Sequence, residues 1–224
     1  LEVVELAEQL PNISFWGLHF HIGSQITDML DYVALCQRIN EIQDLLNQHG
    51  IYPSMINVGG GLGVDYQAPD EHSIADFRAY FQVFEQQLHL RSGQSLHFEL
   101  GRSVVAQCGS LITRVLYVKQ AMTKQFVIVD AGMTELLRPA LYQAKHTIQN
   151  LSAPSNTNCI RYDVVGPICE SSDVFDNDIL LPVTQRGDIL AIRTAGAYGE
   201  SMASTYNCRS LPPYYTDEEV DLPL

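Results

Sequence analysis

The sequence is poor in positive charge. Its 13 lysines and arginines are outnumbered by 26 aspartates and glutamates, which gives a formal net charge of −13. A surface this acidic argues against nucleic acid or an anionic membrane as a partner. No apolar run approaches the roughly 20 residues that a membrane-spanning helix needs. With 46% hydrophobic residues in 224, the chain is expected to be globular, with one large domain or two modest ones.

Patterns typical of metal sites and disulfide frameworks are also absent. No Cys-x-x-Cys or His-x-x-x-His pair occurs, so no metal site is predicted. The five cysteines are scattered and odd in number, which fits reduced thiols in a cytoplasmic protein better than disulfides. Lysine is even less frequent than cysteine. The chain contains only Lys119, Lys124 and Lys145.

Helix-like and strand-like segments alternate over the first hundred residues. Helices are expected over about 1–10, 32–48 and 74–90, and strands over about 15–22, 55–58 and 95–99. This alternation predicts a parallel sheet, open or closed into a barrel, with ligand groups at the carboxyl ends of the strands. Because residue 1 is Leu and lies in a helical pattern, we expect the chain to be a piece of a longer protein.

After Arg102 the pattern changes to strands separated by turns. A short helix is expected near 103–109, and strands over about 111–118, 125–129, 160–165 and 189–193. Few helices separate these strands. Residues 1–109 are therefore predicted to form an α/β portion, and residues 110–224 a separate antiparallel β domain with a loose tail from Pro212.

Five groups in the sequence could carry chemistry. The backbone of Gly59, Gly60 and Gly61 could bind a phosphate, although a tight turn without a ligand fits equally well. The nucleotide patterns GxGxxG and GK[ST] are absent, so a nucleotide is not favoured. Arg102 could add to the same phosphate, and Glu99 could hold a protonated ring nitrogen or simply pair with Arg102.

The other two groups are a histidine and a thiol. His21 shares a strand face with His19 and could stack on an aromatic ring or be a hydrogen-bonded core histidine. Cys169 stands beside Glu170 in a loop that Gly166 and Pro167 open. A free cysteine is usually a small buried apolar residue, whereas a reactive thiol needs an electropositive, partly exposed setting.

Taken together, these segments resemble the fold-type III pyridoxal-phosphate decarboxylases, the group of the ornithine and diaminopimelate decarboxylases. The family's motifs appear in order up to about Leu211. They are HFHIGSQ at 19–25, VGGGLG at 58–63, ELGR at 99–102, DAGM with RPALY at 130–142, and CESSD at 169–173. Gly196-Ala197-Tyr198 adds to a likeness that is strongest to the decarboxylases of meso-diaminopimelate.

The resemblance implies a pyridoxal 5′-phosphate site and an alanine racemase-like fold. The fold would be a TIM-type (β/α)8 barrel, of which residues 1–109 are the last βα units, followed by a β-sandwich or barrel domain. The implied cofactor-binding residues are His21, Ser24, Gly59, Gly60, Gly61, Glu99, Gly101, Arg102 and Tyr198. His21 would stack on the ring, and Glu99 would keep the ring nitrogen protonated.

The resemblance also implies the reaction, decarboxylation of meso-2,6-diaminopimelate to L-lysine as the last step of lysine biosynthesis. The implied substrate-binding residues are Arg102, Arg138, Tyr142, Glu170 and Tyr198. The implied catalytic residues are Cys169, His21 and Glu99, with Cys169 protonating the product carbon after CO₂ leaves. Cys169 and Glu170 would reach the partner's site in an obligatory homodimer.

Two departures from the family pattern stand out. Leu100 replaces a proline, which makes that loop less rigid. The family's cofactor lysine, carried on an early barrel strand, has no counterpart among the three lysines. We therefore expect an active parent enzyme but no turnover by these 224 residues alone. The alternatives are a decarboxylase of ornithine, arginine or carboxynorspermidine, and a catalytically inactive regulatory homologue. A racemase is less favoured because a single thiol donor suits one-way protonation.

Overall fold

A computed structural model describes residues 1–154 and 157–216, which fall into two structural units. The first unit comprises Leu1–Val64 and Ile74–Val104. The second comprises Asp65–Ser73 and the described residues from Val105 onward. Among the described residues, no helix is long and apolar enough to cross a membrane, and no cluster of His, Cys, Asp and Glu side chains could hold a metal ion.

Three parallel strands form the sheet of the first unit in chain order β1-β2-β3. In chain order, the helices and strands of this unit are α1 Glu2–Gln9, β1 Gly17–His19, α2 Met29–Gln48, β2 Met55–Asn57, α3 Phe77–Gln87, β3 Ser95–His97 and α4 Arg102–Val105. Every helix and strand predicted here from periodicity is present, with strands shorter than expected. Parallel strands that are neighbours both in sequence and in the sheet occur in (β/α)8 barrels and also in parts of open α/β sheets. This strand order therefore fits either architecture.

The long helices begin at aspartate caps and bury one face. The side chain of Asp28 accepts a hydrogen bond from the backbone N–H of Leu30, and that of Asp76 accepts one from Ala79. Such caps satisfy N–H groups that have no partner within the helix. The buried faces supply Tyr32, Leu35, Cys36, Ile39, Tyr80 and Phe84 to one core. Each fully buried aliphatic side chain contributes about 1.5–3 kcal/mol.

A mixed six-stranded sheet forms the second unit in the order β6-β9-β4-β5-β7-β8. The strands are β4 Leu111–Gln120, β5 Gln125–Val129, β6 Ile148–Asn150, β7 Cys159–Val165, β8 Val174–Pro182 and β9 Ile189–Ile192. One helix, α5 Arg138–Tyr142, and three 3₁₀ turns, Ala106–Cys108, Glu200–Met202 and Tyr206–Cys208, complete the unit. The end strands β6 and β8 approach each other, which gives the sheet a barrel-like curvature.

The sheet corrects the prediction of a purely antiparallel β domain, because β5 and β7 pair in parallel. A parallel pair needs a crossover of a dozen or more residues, and the chain between these strands contains α5 and β6. The sequence analysis also missed β6, β8 and α5. In β8 the run Asp176-Asn177-Asp178 hides the strand pattern, and Asp178 has a φ of +54°.

The first unit is not continuous along the chain. Asp65–Ser73 groups with the second unit because its backbone and side chains bond there. The Thr147 hydroxyl donates to the carbonyl oxygens of Tyr66 and Gln67, each at 2.8 Å. Arg193 pairs with Asp70 at 2.9 Å. Of the tail predicted to be loose, the described part 212–216 has no helix or strand, and 217–224 lie outside the described residues.

Candidate functional site

Polar side chains meet at the carboxyl ends of the three parallel strands. His19 ends β1, Asn57 ends β2, and Glu99 lies two residues beyond β3. The Asn57 amide donates to Glu99 Oε1 at 2.8 Å, and His19 Nε2 lies 3.2 Å from Glu99 Oε2. Both carboxylate oxygens therefore have a partner, and the Glu99 side chain still keeps 55% of its surface exposed. A carboxylate fixed in this way can bind a cationic ring nitrogen.

The neighbours of Glu99 keep it ionised. The hydrogen bond from Asn57 is the largest cause of a lowered Glu99 pKa. Desolvation of the carboxylate acts in the opposite direction, and the interactions with His19 and His21 lower the pKa further. Because hydrogen bonds and nearby positive charge favour the charged form, Glu99 is an anion at neutral pH.

The glycine turn leaves no room for side chains. A Cβ at Gly59 would lie 2.2 Å from the Phe20 carbonyl oxygen, one at Gly60 2.3 Å from the Glu99 carbonyl oxygen, and one at Gly61 2.5 Å from the Gly23 carbonyl oxygen. The φ angles of Gly59 and Gly61 are +70° and +100°, which favour glycine. Such a turn lets the backbone approach an anion closely.

Asn57 joins this turn to Glu99. Its Oδ1 accepts a hydrogen bond from Gly59 N at 2.8 Å, while its Nδ2 donates to Glu99. Glu99 N also donates to the Gly59 carbonyl oxygen at 2.7 Å. The sequence analysis missed Asn57, although a polar residue that ends a buried strand directly before the glycines could have indicated it.

The remaining predicted residues of the first unit lie around the same turn. His21 Nδ1 would be 3.2 Å from a Cβ at Gly59, and Arg102 Nη2 donates to Ser24 Oγ at 2.8 Å. Gly101 is exposed, with no atom within 4 Å of its Cβ position. The Glu99 carboxylate bonds Asn57 and His19. A hydroxyl, a guanidinium and a glycine turn together fit a phosphate, and the neighbouring carboxylate fits a pyridinium nitrogen.

In the second unit, Cys169 and Glu170 are exposed at the tip of a loop. The Tyr206 hydroxyl donates to Glu170 Oε1 at 2.5 Å, a contact that the sequence analysis missed. The interpretation of Cys169 as a buried apolar residue is wrong for this chain. Cys36 has that role instead, because it is fully buried and burial raises the pKa of its thiol to about 11.

Arg138, predicted to bind substrate, is only 6% exposed, and its guanidinium contacts two aromatic side chains. Its Nη1 lies 2.8 Å from His146 Nε2, and its guanidinium carbon lies 4.6 Å from the centre of the Tyr66 ring. His146 Nδ1 is 2.9 Å from the Arg193 carbonyl oxygen. This partner assigns the proton to Nδ1, so that Nε2 accepts from the guanidinium. Tyr142, on the same helix, is 63% exposed.

Tyr198 has the left-handed φ of +60° and is 43% exposed. A non-glycine residue in this conformation is uncommon and costs energy. Gly196, two residues earlier, packs against backbone, since a Cβ there would lie 2.0 Å from the Val105 carbonyl oxygen. The close packing at Gly196 therefore fixes the start of the turn that presents Tyr198.

The three lysines all lie in the second unit. Lys124 Nζ donates to Asp163 Oδ2 at 2.6 Å, and Lys145 pairs with Asp176. Lys119 lies in β4 of the second unit. None of the three is next to the glycine turn in sequence or on a strand of the first unit.

Comparisons with known proteins agree on one family. Residues 20–196 match the family model described as the C-terminal sheet domain of pyridoxal-dependent decarboxylases. The chain is 58% identical over 218 residues to diaminopimelate decarboxylase of Bacteroides thetaiotaomicron, covering 97% of the chain and 56% of that relative. It is 43% identical over 210 residues to the enzyme of the same name from Neisseria meningitidis, covering 94% and 50%.

Solved structures give the same result. A mutant diaminopimelate decarboxylase from Helicobacter pylori, complexed with L-lysine, matches with a TM-score of 0.82 and 41% identity over 93% of this chain and 50% of that one. The diaminopimelate decarboxylase of M. jannaschii with L-lysine matches with a TM-score of 0.83 and 33% identity, over 94% and 49%. The chain spans about half the length of the relatives it matches.

Proposed function

The chain belongs to the pyridoxal-dependent decarboxylases, and from that premise we propose that the whole protein converts meso-diaminopimelate to L-lysine and CO₂ with pyridoxal 5′-phosphate. The relatives named diaminopimelate decarboxylase and the lysine-bound structures support this substrate. The observation that carries the proposal is the ionised Glu99 carboxylate, held by Asn57 and His19 beside a glycine turn.

The residues of the first unit fit the cofactor. Pyridoxal phosphate supplies an electron sink for the electron pair left when CO₂ departs. Glu99, as an anion, holds the proton on the ring nitrogen and so maintains that sink. The backbone N–H groups of Gly59–Gly61, Ser24 and Arg102 bind the phosphate, Gly101 lies beside it, and His21 packs on the ring. We propose these three strands to be the last of a (β/α)8 barrel, in a domain that comprises residues 1–109.

The residues of the second unit fit the substrate. Arg138 and Tyr142 pair with the carboxylate at the unreacting end, together with Arg102, and Glu170 accepts from the ammonium there. A substrate without that carboxylate forms no ion pair with the Arg138 guanidinium and binds less tightly, which gives selectivity. Tyr198 contacts both cofactor and substrate, and Cys169 Sγ returns a proton to the α-carbon after CO₂ leaves. We place Cys169 and Glu170 in the partner subunit's site of a cytoplasmic homodimer, in a β domain that comprises residues 110–224.

The test uses the complete reading frame that contains this chain, loaded with the cofactor. Release of lysine and CO₂ is measured with meso-diaminopimelate, ornithine, arginine and carboxynorspermidine as competing substrates. We expect diaminopimelate to be preferred and Cys169→Ala to lower kcat by about 10²- to 10⁴-fold, as for loss of a general acid, with unchanged cofactor affinity. The 224-residue chain alone should show no turnover.

Each other outcome identifies a different error. Preference for ornithine or arginine would make this a related decarboxylase. Absence of turnover by the complete protein would favour a catalytically inactive regulatory homologue. Wild-type turnover by full-length Cys169→Ala would remove the proton donor from the proposal, and turnover by the short chain would show that the missing lysine is dispensable.

A further inference from the structure

We propose that Asp173 is a positioning residue, whose buried carboxylate holds the loop with Cys169 and Glu170 against the turn that leads to Arg138. The assignment rests on the function proposed above for those three residues. Asp173 is 3% exposed, whereas Cys169 and Glu170 in the same loop are exposed. Asp173 therefore acts through the residues that it places.

The two carboxylate oxygens of Asp173 bond to two separate segments. Oδ2 accepts a hydrogen bond from Ile168 N at 2.6 Å, within the loop. Oδ1 accepts one from Met133 N at 2.6 Å, in the turn after β5. Asp173 and Met133 are 40 positions apart along the chain. One side chain thus links the segment that carries the thiol to the segment that precedes α5 and Arg138.

Two glycines make room for this carboxylate. A Cβ at Gly166 would lie 2.3 Å from Asp173 Oδ2 and 2.6 Å from Oδ1. A Cβ at Gly132 would lie 3.0 Å from each oxygen. Neither glycine has a positive φ, so their common feature is the space that they leave. Gly132 belongs to the DAGM motif and Gly166 opens the cysteine loop, which ties both motifs to Asp173.

The backbone closes the loop at the same residue. Gly166 N donates to the Asp173 carbonyl oxygen at 3.0 Å, and Asp173 N donates to the Glu170 carbonyl oxygen at 3.2 Å. Glu170 N donates to the Ile168 carbonyl oxygen at 2.8 Å. Both ends of the loop therefore meet at Asp173, and the two exposed side chains project from its tip.

A buried carboxylate is costly unless it is well bonded, and its presence here needs a reason other than stability. Burial is the largest influence on Asp173 and raises its pKa, while the N–H groups of Ile168 and Met133 act in the opposite direction. Two converging N–H donors need two acceptor oxygens. Asparagine has the same shape but only one acceptor oxygen, so its NH₂ group would face one of the donors.

The test compares Asp173→Asn with Asp163→Asn in the complete holoenzyme. Asp163 is a matched control, because it is also a buried aspartate of the second unit, at 5% exposure, and bonds Lys124 and Asp178 N. Four quantities are measured for each: kcat, KM, the cofactor Kd and the melting temperature. Hydrogen exchange of peptides that contain Met133 and Ile168 is followed as well.

For Asp173→Asn we expect kcat/KM to fall by about 10- to 100-fold, the order found when catalytic groups are displaced by about 1 Å. The cofactor Kd should stay within twofold of wild type, and both peptides should exchange faster. Asp163→Asn should lower the melting temperature but leave kcat, KM and these peptides unchanged. Gly132→Ala replaces Asp173→Asn if that variant does not fold, because its Cβ would lie 2.9 Å from Ile168 Cγ1 and 3.0 Å from each Asp173 carboxylate oxygen and so presses on the same contact between loop and turn.

Two results would overturn the assignment of Asp173. One is wild-type kcat and KM in Asp173→Asn, and the other is an equal loss of activity and stability in the two asparagine variants. A wild-type protein that releases no lysine refutes the proposed function instead. In that case the exchange rates of the two peptides still decide whether Asp173 holds the loop to the turn.

Discussion

Replacing Gly60 by alanine tests the close approach of the glycine turn to the backbone beyond β3. The Cβ of alanine would lie 2.3 Å from the Glu99 carbonyl oxygen, whereas real Cβ contacts are essentially never shorter than 3.0 Å. Relief of the clash thus requires a shift of at least 0.7 Å, the difference between 3.0 and 2.3 Å. The φ of Gly60 is not positive, so alanine causes no backbone strain and the clash is the only perturbation.

The size of the effect follows from that shift. Overpacking of this kind costs about 1–3 kcal/mol. At about 2–4 °C per kcal/mol for a domain of this size, the melting temperature should fall by about 2–12 °C. The shift also moves Glu99 relative to the turn. Because a displacement of about 1 Å costs about 100-fold in rate, we expect kcat/KM to fall by between 10- and 100-fold and the cofactor to bind more weakly.

The assay combines thermal unfolding of the complete protein with cofactor titration and lysine release. Gly101→Ala is the control for stability, because its Cβ would meet no atom within 4 Å and its φ is not positive. It should change the free energy of unfolding by less than about 0.5 kcal/mol. The reasoning is refuted if Gly60→Ala melts within 1 °C of the wild type and binds the cofactor equally well.

Two further predictions concern charge. Asn57→Ala removes the main cause of the lowered Glu99 pKa, so the carboxyl pKa measured by NMR should rise toward its ordinary value; an unchanged titration would contradict the hydrogen bond. Burial raises the pKa of Asp163, but the bonds from Lys124 and Asp178 N outweigh it and leave the pKa below its ordinary value. A carboxyl with a lowered pKa stabilises the fold above its ordinary pKa and loses that contribution as the pH falls through the folded value. In Asp163→Asn the free energy of unfolding, measured by denaturant titration, should therefore decrease less steeply with falling pH than in the wild type. An equal decrease in both proteins would show that the pair of Asp163 and Lys124 does not contribute.

The sequence by itself determined most of the local structure and the chemical groups. Amphipathic periodicity predicted α2 and α3, and apolar runs predicted β2, β4, β5 and β7, because both depend on residues that are neighbours along the chain. The glycine run and the charged residues after each strand were also readable from residue types alone. These local signals were enough to place Gly59, Glu99 and Cys169 in candidate sites.

The tertiary structure alone decided which groups meet. Asn57 and Glu99 are 42 residues apart, and His19 and Glu99 are 80 apart, so only strand pairing brings them together. The same holds for Asp173 with Met133 and for the parallel pairing of β5 with β7, which depends on the route of the chain between them. Residue type sets what a side chain can do, but its pKa, burial and partners arise from contacts between distant segments, and no local pattern encodes those contacts.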